Sequence, residues 1–412
     1  SNMDQDTRNK LQRATQHVRR ILEEEFAEQL EGTFDVLADG TLAAEPGAHL
    51  DSSQRLTRQK LVQAIAHIES GGKTTRDAIE EYLRQAAFTI LNRFVALRML
   101  EARDLVQQCV SKGDESSGFK EFCGLAPGLS ALTDDGYRLY LECLCDELTV
   151  EIKVLFDRRD PTTLLWPRRS ALTAMLDVLA QPELASVWAE DETIGWIYQY
   201  FNGDEERTQM RKESQAPRNS RELAVRNQFF TPRCVVQFLT DNTLGRTWYE
   251  MMQGETQLAD LDYLVRRPNE DFLAEGESAP ESETDDCELN QEELFQQTVH
   301  LPFRKKKDPR DLRILDPACG SGHFLLYTFD LLITIYEEAW GDAGAKAFTE
   351  TDTQLRADYE SLDDLRRAVP ELILRHNLHG VDIDARAAQI AALARNQATP
   401  KNNFRKKPPK SP

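Results

Sequence analysis

The chain holds no apolar run of the roughly eighteen residues that a membrane-spanning helix needs, and no leader pattern of charged, apolar and small residues. Nothing in it points to a membrane or to export, so a cytoplasmic protein is expected. Its seven cysteines (Cys109, Cys123, Cys143, Cys145, Cys234, Cys287 and Cys319) are scattered and odd in number, with no Cys-x-x-Cys pair. No His stands at zinc-ligand spacing from any of them, so neither a disulfide framework nor a zinc module fits; free thiols and no metal are expected. A basic excess is missing as well. Fifty Lys and Arg face 70 Asp and Glu, a net charge of −20, the reverse of a DNA-wrapping protein. There is no internal repeat, helix-turn-helix or zinc finger.

The acidity is uneven. Residues 269–294 carry eleven acids and no Lys or Arg, which reads as a mobile, solvated insertion over about 265–300. Basic residues gather elsewhere. Arg304, Lys305, Lys306, Lys307, Arg310 and Arg313 form one set, and Arg211, Lys212, Arg218, Arg221, Arg226 and Arg233 another. Each set suits phosphate contacts or a solvated surface equally well.

What is present centres on residues 314–324, Ile-Leu-Asp-Pro-Ala-Cys-Gly-Ser-Gly-His-Phe. Ile314 and Leu315 close a short apolar run that suits a buried strand; Gly320 and Gly322 follow, then a helical stretch from Phe324 to Tyr336. A strand, a glycine-bearing turn and a helix N-terminus bring backbone N–H groups against a polar ligand. Without Cβ atoms the glycines let that ligand lie on the main chain. The dinucleotide pattern Gly-x-Gly-x-x-Gly has Leu325 at its third glycine here, which disfavours nicotinamide and flavin cofactors. Downstream, Leu378-His-Gly-Val-Asp-Ile-Asp384 reads as a second strand ending in an acid able to accept from ribose hydroxyls, with Asp384 capping a helix from Ala385. Upstream, Asn227-Gln-Phe-Phe-Thr-Pro-Arg233 precedes helically spaced Val235, Val236, Phe238 and Leu239; Thr231 is expected as N-cap and Pro232 at the first helical position.

Asp316 to Gly322 closely resembles motif I of the amino-methylating DNA methyltransferases, the adenine-N6 class in particular. The order of the Thr-Pro element, this loop and the Gly-x-Asp string is that of the gamma-type adenine enzymes. The resemblance implies that S-adenosyl-L-methionine is held by Phe230, Thr231, Pro232, Asp316, Ala318, Gly320, Gly322 and Asp382, with Phe229 and Phe324 packed beside them. The family's base pocket, Asn/Asp-Pro-Pro-Tyr/Phe, does not occur in this sequence, and Arg267-Pro-Asn-Glu and Lys407-Pro-Pro-Lys do not replace it. No catalytic residue is therefore assigned. The chain reads as the front part of a longer enzyme, truncated or altered near residue 395, with a Pro-rich basic tail that reads as disordered. Ser1 and Asn2, ahead of Met3, read as a tag remnant.

The first half has helical apolar spacing, including Ile79, Leu83, Ala86, Ile90, Phe94, Leu97 and Leu100 behind a Thr74 cap. Asn92–Arg103 and Ile194–Phe201 resemble the helical region of large single-chain adenine methyltransferases of BREX-type phage defence and fused restriction–modification systems. Arg93, Arg98, Glu101 and Arg103 are expected as charge pairs on an exposed helix face, with DNA or another subunit as the alternative partner. The expected fold is α-rich α/β. A helical domain (1–220) precedes an incomplete Rossmann-like, S-adenosylmethionine-dependent methyltransferase domain (221–394) and a basic tail (395–412). The implied function is the cofactor-binding part of an adenine-specific DNA methyltransferase, with DNA and other phage-defence subunits as partners. The alternative is a non-catalytic truncated product that serves as a protein-interaction subunit.

Overall fold

The computed structural model describes residues 3–128, 135–149, 153–190, 192–218, 220–227, 231–280 and 290–383. These fall into two compact units. One takes the described residues up to Asn227 with Asp382 and Ile383, and the other takes Thr231–Val381.

The first unit is built from helices. In α1 (Gln5–Gly32) the Asp4 side chain accepts from the Thr7 N–H at 2.7 Å, and Leu11, Val18, Leu22, Phe26 and Leu30 make a buried stripe. Helix α2 (Ser52–Glu69) opens on an Asp51–Gln54 capping box. Helix α3 (Thr75–Ala102) starts at Thr74, whose hydroxyl accepts from the Asp77 N–H, as its sequence predicts. Helices α4 (Arg169–Leu179) and α5 (Thr193–Phe201) complete the packing around α1 and α3.

The position of α3 differs from expectation. From Ala86 to Leu100 every residue except Arg98 is buried, so this part of α3 is a central helix covered on all sides and not an amphipathic one. Arg93 is inside with it and donates to the carbonyls of Leu155 (2.9 Å) and Asp157 (2.8 Å). Arg98 does pair with Glu101 at 3.6 Å, but both side chains are largely covered. Glu101 Oε2 also accepts the N–H groups of Cys109, Val110 and Ser111, at 3.1, 2.8 and 3.2 Å. Burial pushes the Glu101 carboxyl up, and those bonds more than offset it, so its pKa is lowered. Arg103 donates to the Ala189 carbonyl at 3.1 Å, so all four residues are bound within the first unit.

The second unit starts with α6 (Arg233–Thr240), a π-helical turn (Asp241–Gly245) and α7 (Arg246–Met251). Strands β1 (Glu270–Phe272) and β2 (Val299–Leu301) pair in parallel and bracket the acidic segment. Its start is thus not the mobile insertion expected. The Glu270 side chain is only 6% exposed and accepts from Arg246 (2.9 Å), the Tyr249 hydroxyl (2.9 Å) and the Arg267 N–H (3.0 Å). Acids fixed by such donors become part of the packed structure.

The other parallel pair, β3 (Ile314–Asp316) and β4 (Leu378–Gly380), is in register Ile314↔Leu378, Leu315↔His379 and Asp316↔Gly380. Helix α8 (His323–Gly341) and helix α9 (Leu362–Leu372) lie in the crossover between them. Leu325, Phe329, Leu332, Ile335 and Tyr336 recur on the buried face of α8 at helical spacing. Asn377, wholly buried, locks the pair: it donates to the Pro309 and Leu312 carbonyls at 2.7 Å each and accepts from the Tyr336 hydroxyl at 2.9 Å. Among the described residues β4 is the only strand beside β3, and Leu315 is 61% exposed.

Candidate functional site

The segment after β3 folds into a tight bend against the end of β4. The Asp316 carbonyl accepts from the Val381 N–H at 2.9 Å, and the Cys319 N–H donates to the Val381 carbonyl at 3.0 Å. Asp316 Oδ1 accepts from the Ala318 N–H at 3.2 Å, and the Gly322 N–H donates to the Cys319 carbonyl at 2.7 Å. Gly320 and Gly322 both take positive φ, +51° and +82°, where a side chain is strained. A Cβ placed on Gly320 would meet nothing within 4 Å, so there is open space where a side chain would stand. The opposite holds at Gly380, where a Cβ would stand 2.9 Å from Leu325 and 3.1 Å from the Cys319 sulfur. Gly380 is what lets the bend lie on the strand.

Gly322 is the N-cap of α8 and brings no side chain to the N–H groups of the first turn. The bend therefore sets a helix N-terminus beside a glycine with space where its side chain would stand, a combination suited to a small polar or anionic group. A groove of about 750 Å³ adjoins it, lined by Leu239, Leu244, Leu315, Asp316, Pro317 and Phe324 among others.

Two side chains on one face of α8 hold α6 in place. His323 Nδ1 lies 3.0 Å from the Thr231 carbonyl, just ahead of α6. One turn on, the Tyr327 hydroxyl donates to Asp241 Oδ1 at 2.7 Å, just beyond the end of α6. Thr231 does not act as the expected N-cap. Pro232 occupies the cap position and α6 starts at Arg233, one residue later, without a side-chain cap. The Thr231 carbonyl is turned to His323, which accounts for the shift.

Two curated proteins resemble the chain over most of its length. "Adenine-specific methyltransferase BrxX" of Escherichia coli O9:H4 (strain HS) is 24% identical over 348 residues, which is 78% of this chain and 25% of that protein. "Adenine-specific methyltransferase PglX" of Lacticaseibacillus casei (strain Zhang) is 22% identical over 348 residues, 77% and 26% respectively. The chain is related to the adenine-specific methyltransferases BrxX and PglX. It spans about a quarter of the length of these methyltransferases. No family model matches it.

Within this methyltransferase relative, the second unit contains Thr231, Pro232, Asp316, Ala318, Gly320, Gly322 and the neighbouring Phe324. Asp382 is the residue after Val381, where the chain leaves that unit. Phe229 and Phe230, and Asp384 with its expected cap, lie outside the described residues, as does the tail. His323, Tyr327 and Asp241 had no role in the sequence reading. A hydrogen bond across 92 residues, such as His323 to Thr231, leaves no local pattern to find.

The basic run before β3 is largely committed internally. Arg310 is buried, bound to Asp308 and Asp358 and stacked over Phe348. Arg304 pairs with Glu250, Lys306 with Asp342 and Arg313 with Glu350. Among the described residues no cluster of metal-ligating side chains occurs, and no helix is long and apolar enough to cross a membrane.

Proposed function

We propose that this chain is the S-adenosyl-L-methionine-binding part of an adenine-N6 DNA methyltransferase of the phage-defence kind, set on a partial Rossmann-like sheet. The observation that carries this is the open space where a Gly320 side chain would stand, in a strand–bend–helix unit with two positive-φ glycines and a helix start without a side-chain cap. A buried wall of side chains against Gly320 would have left no room for the cofactor. The kinship with BrxX and PglX supports the substrate class.

In this reading Ala318, Gly320 and Gly322 present main chain to the methionine part. Asp316 braces the bend through the Ala318 N–H. The resemblance assigns Phe230, Thr231 and Pro232 to the cofactor as well, and Asp382 to its ribose hydroxyls. The cofactor supplies a methyl group on a sulfonium, an electrophile for the amine of a flipped adenine. This chain contributes binding and orientation. It has no Asn-Pro-Pro-Tyr string, so transfer by the chain alone is not expected.

That missing string also favours a second reading, in which the chain binds partner subunits and holds no cofactor. Calorimetry with S-adenosylhomocysteine separates the two. The first expects saturable binding that Gly320→Val removes, because a β-branched side chain is excluded at φ +51°. A wild-type chain that releases no heat of binding would leave only the second.

A further inference from the structure

We infer that His323 is the positioning residue of the cofactor site. It fixes Thr231 and Pro232 against the bend that carries Gly320 and Gly322. This rests on the cofactor reading above and adds a residue to it.

His323 is the first residue of α8 and follows Gly322 directly. Its place is set by the bend, since any change in the bend moves the helix start and the ring with it. The Thr231 carbonyl can only accept, so Nδ1 of His323 carries the proton in the 3.0 Å bond between them. Thr231 precedes α6, whose N-terminus has no side-chain cap to set the entry angle of the chain. The His323 bond supplies that restraint from outside the helix. A ligand lying on Gly320 would find Thr231 and Pro232 already ordered, which removes an entropic cost from binding.

Tyr327 is the natural control. It stands on the same face of α8 one turn on and binds the far end of α6 at Asp241, away from Thr231. A merely structural role for His323 would make the two residues equivalent. A positioning role makes them unequal, because only the His323 bond ends on the segment that would touch the cofactor. Asparagine at position 323 offers an N–H donor at the same number of bonds from Cα as Nδ1, so it keeps the bond with a smaller side chain.

The test is calorimetric titration of S-adenosylhomocysteine into the full chain and its H323A, H323N and Y327F variants, with thermal unfolding of each. Hydrogen exchange over residues 231–240 is followed in parallel. The expected result is affinity about tenfold weaker in H323A, restored to within about threefold in H323N and little changed in Y327F. Exchange at residues 231–236 rises in H323A. Equal affinity for wild type and H323A, or equal losses in H323A and Y327F, overturns the role of His323 and leaves the cofactor reading standing. No binding by the wild type overturns both. If H323A fails to fold, H323F, which keeps a ring and loses the donor, takes its place: affinity equal to wild type, or a loss equal to that of Y327F, overturns the inference, and a loss about tenfold greater than that of Y327F supports it.

Discussion

The Tyr327 hydroxyl donates to Asp241 Oδ1 at 2.7 Å, and the Tyr263 N–H donates to the other oxygen at 3.3 Å. Asp241 is 1% exposed and sits in a π-helical turn, an irregularity that often marks a site under functional constraint. Burial raises the pKa of its carboxyl, and the bonds from Tyr327 and Tyr263 only partly oppose this. Phenylalanine at 327 leaves the carboxylate buried with one weak bond. The expected cost is about 1–3 kcal/mol, read from urea unfolding of the second unit. An unchanged midpoint would show that the pair contributes nothing.

Glu101 gives the opposite response to pH. Its pKa is lowered in the folded protein, so its stabilisation is complete above the unfolded-state value and is lost as pH falls through the folded one. Glu101→Gln keeps the shape and gives up the charge-assisted bonds to residues 109–111. It should destabilise the first unit by about 2 kcal/mol at neutral pH and flatten its acid-unfolding curve. Wild type and variant with parallel unfolding curves between neutral and acid pH would refute this.

Gly380→Ala tests the seat of the bend. The added methyl meets Leu325 at 2.9 Å and the Cys319 sulfur at 3.1 Å, so either the bend or the end of β4 must shift. A loss of roughly 1–3 kcal/mol is expected, as for overpacking elsewhere, with faster hydrogen exchange at residues 316–322. Exchange unaltered there would mean that the contact relaxes at no cost.

Arg310→Met removes the cation shared by Asp308 and Asp358. Asp308 is 2% exposed and would be left as a buried charge, at a cost of about 3–5 kcal/mol. Denaturant melts of the second unit measure it, and a loss under about 1 kcal/mol would place Asp308 in better contact with water than its burial indicates.

Local patterns were the legible part. The Thr74 cap, the helices of the first half, the strand–bend–helix at 314–341 and the second strand at Leu378 all have short-range causes: capping, apolar spacing and glycine placement. Long-range polar satisfaction was not legible. Arg93 looked like a surface charge because helical spacing cannot reveal that α3 is covered on every side. Glu270 looked like part of a solvated acidic run because its donors Arg246 and Tyr249 come from α7. Of the expected site, the glycines and Asp316 were readable as a motif. His323 was not, since its partner Thr231 is remote in sequence.

Leu315, left uncovered in a ribbon that is two strands wide among the described residues, gives the second unit a sticky hem. Peptide groups along such a rim attract any passing chain without regard to charge. Clustering of copies through it would therefore persist in concentrated salt, where the acidic surface no longer keeps molecules apart. For handling, dilution guards against this better than ionic strength does.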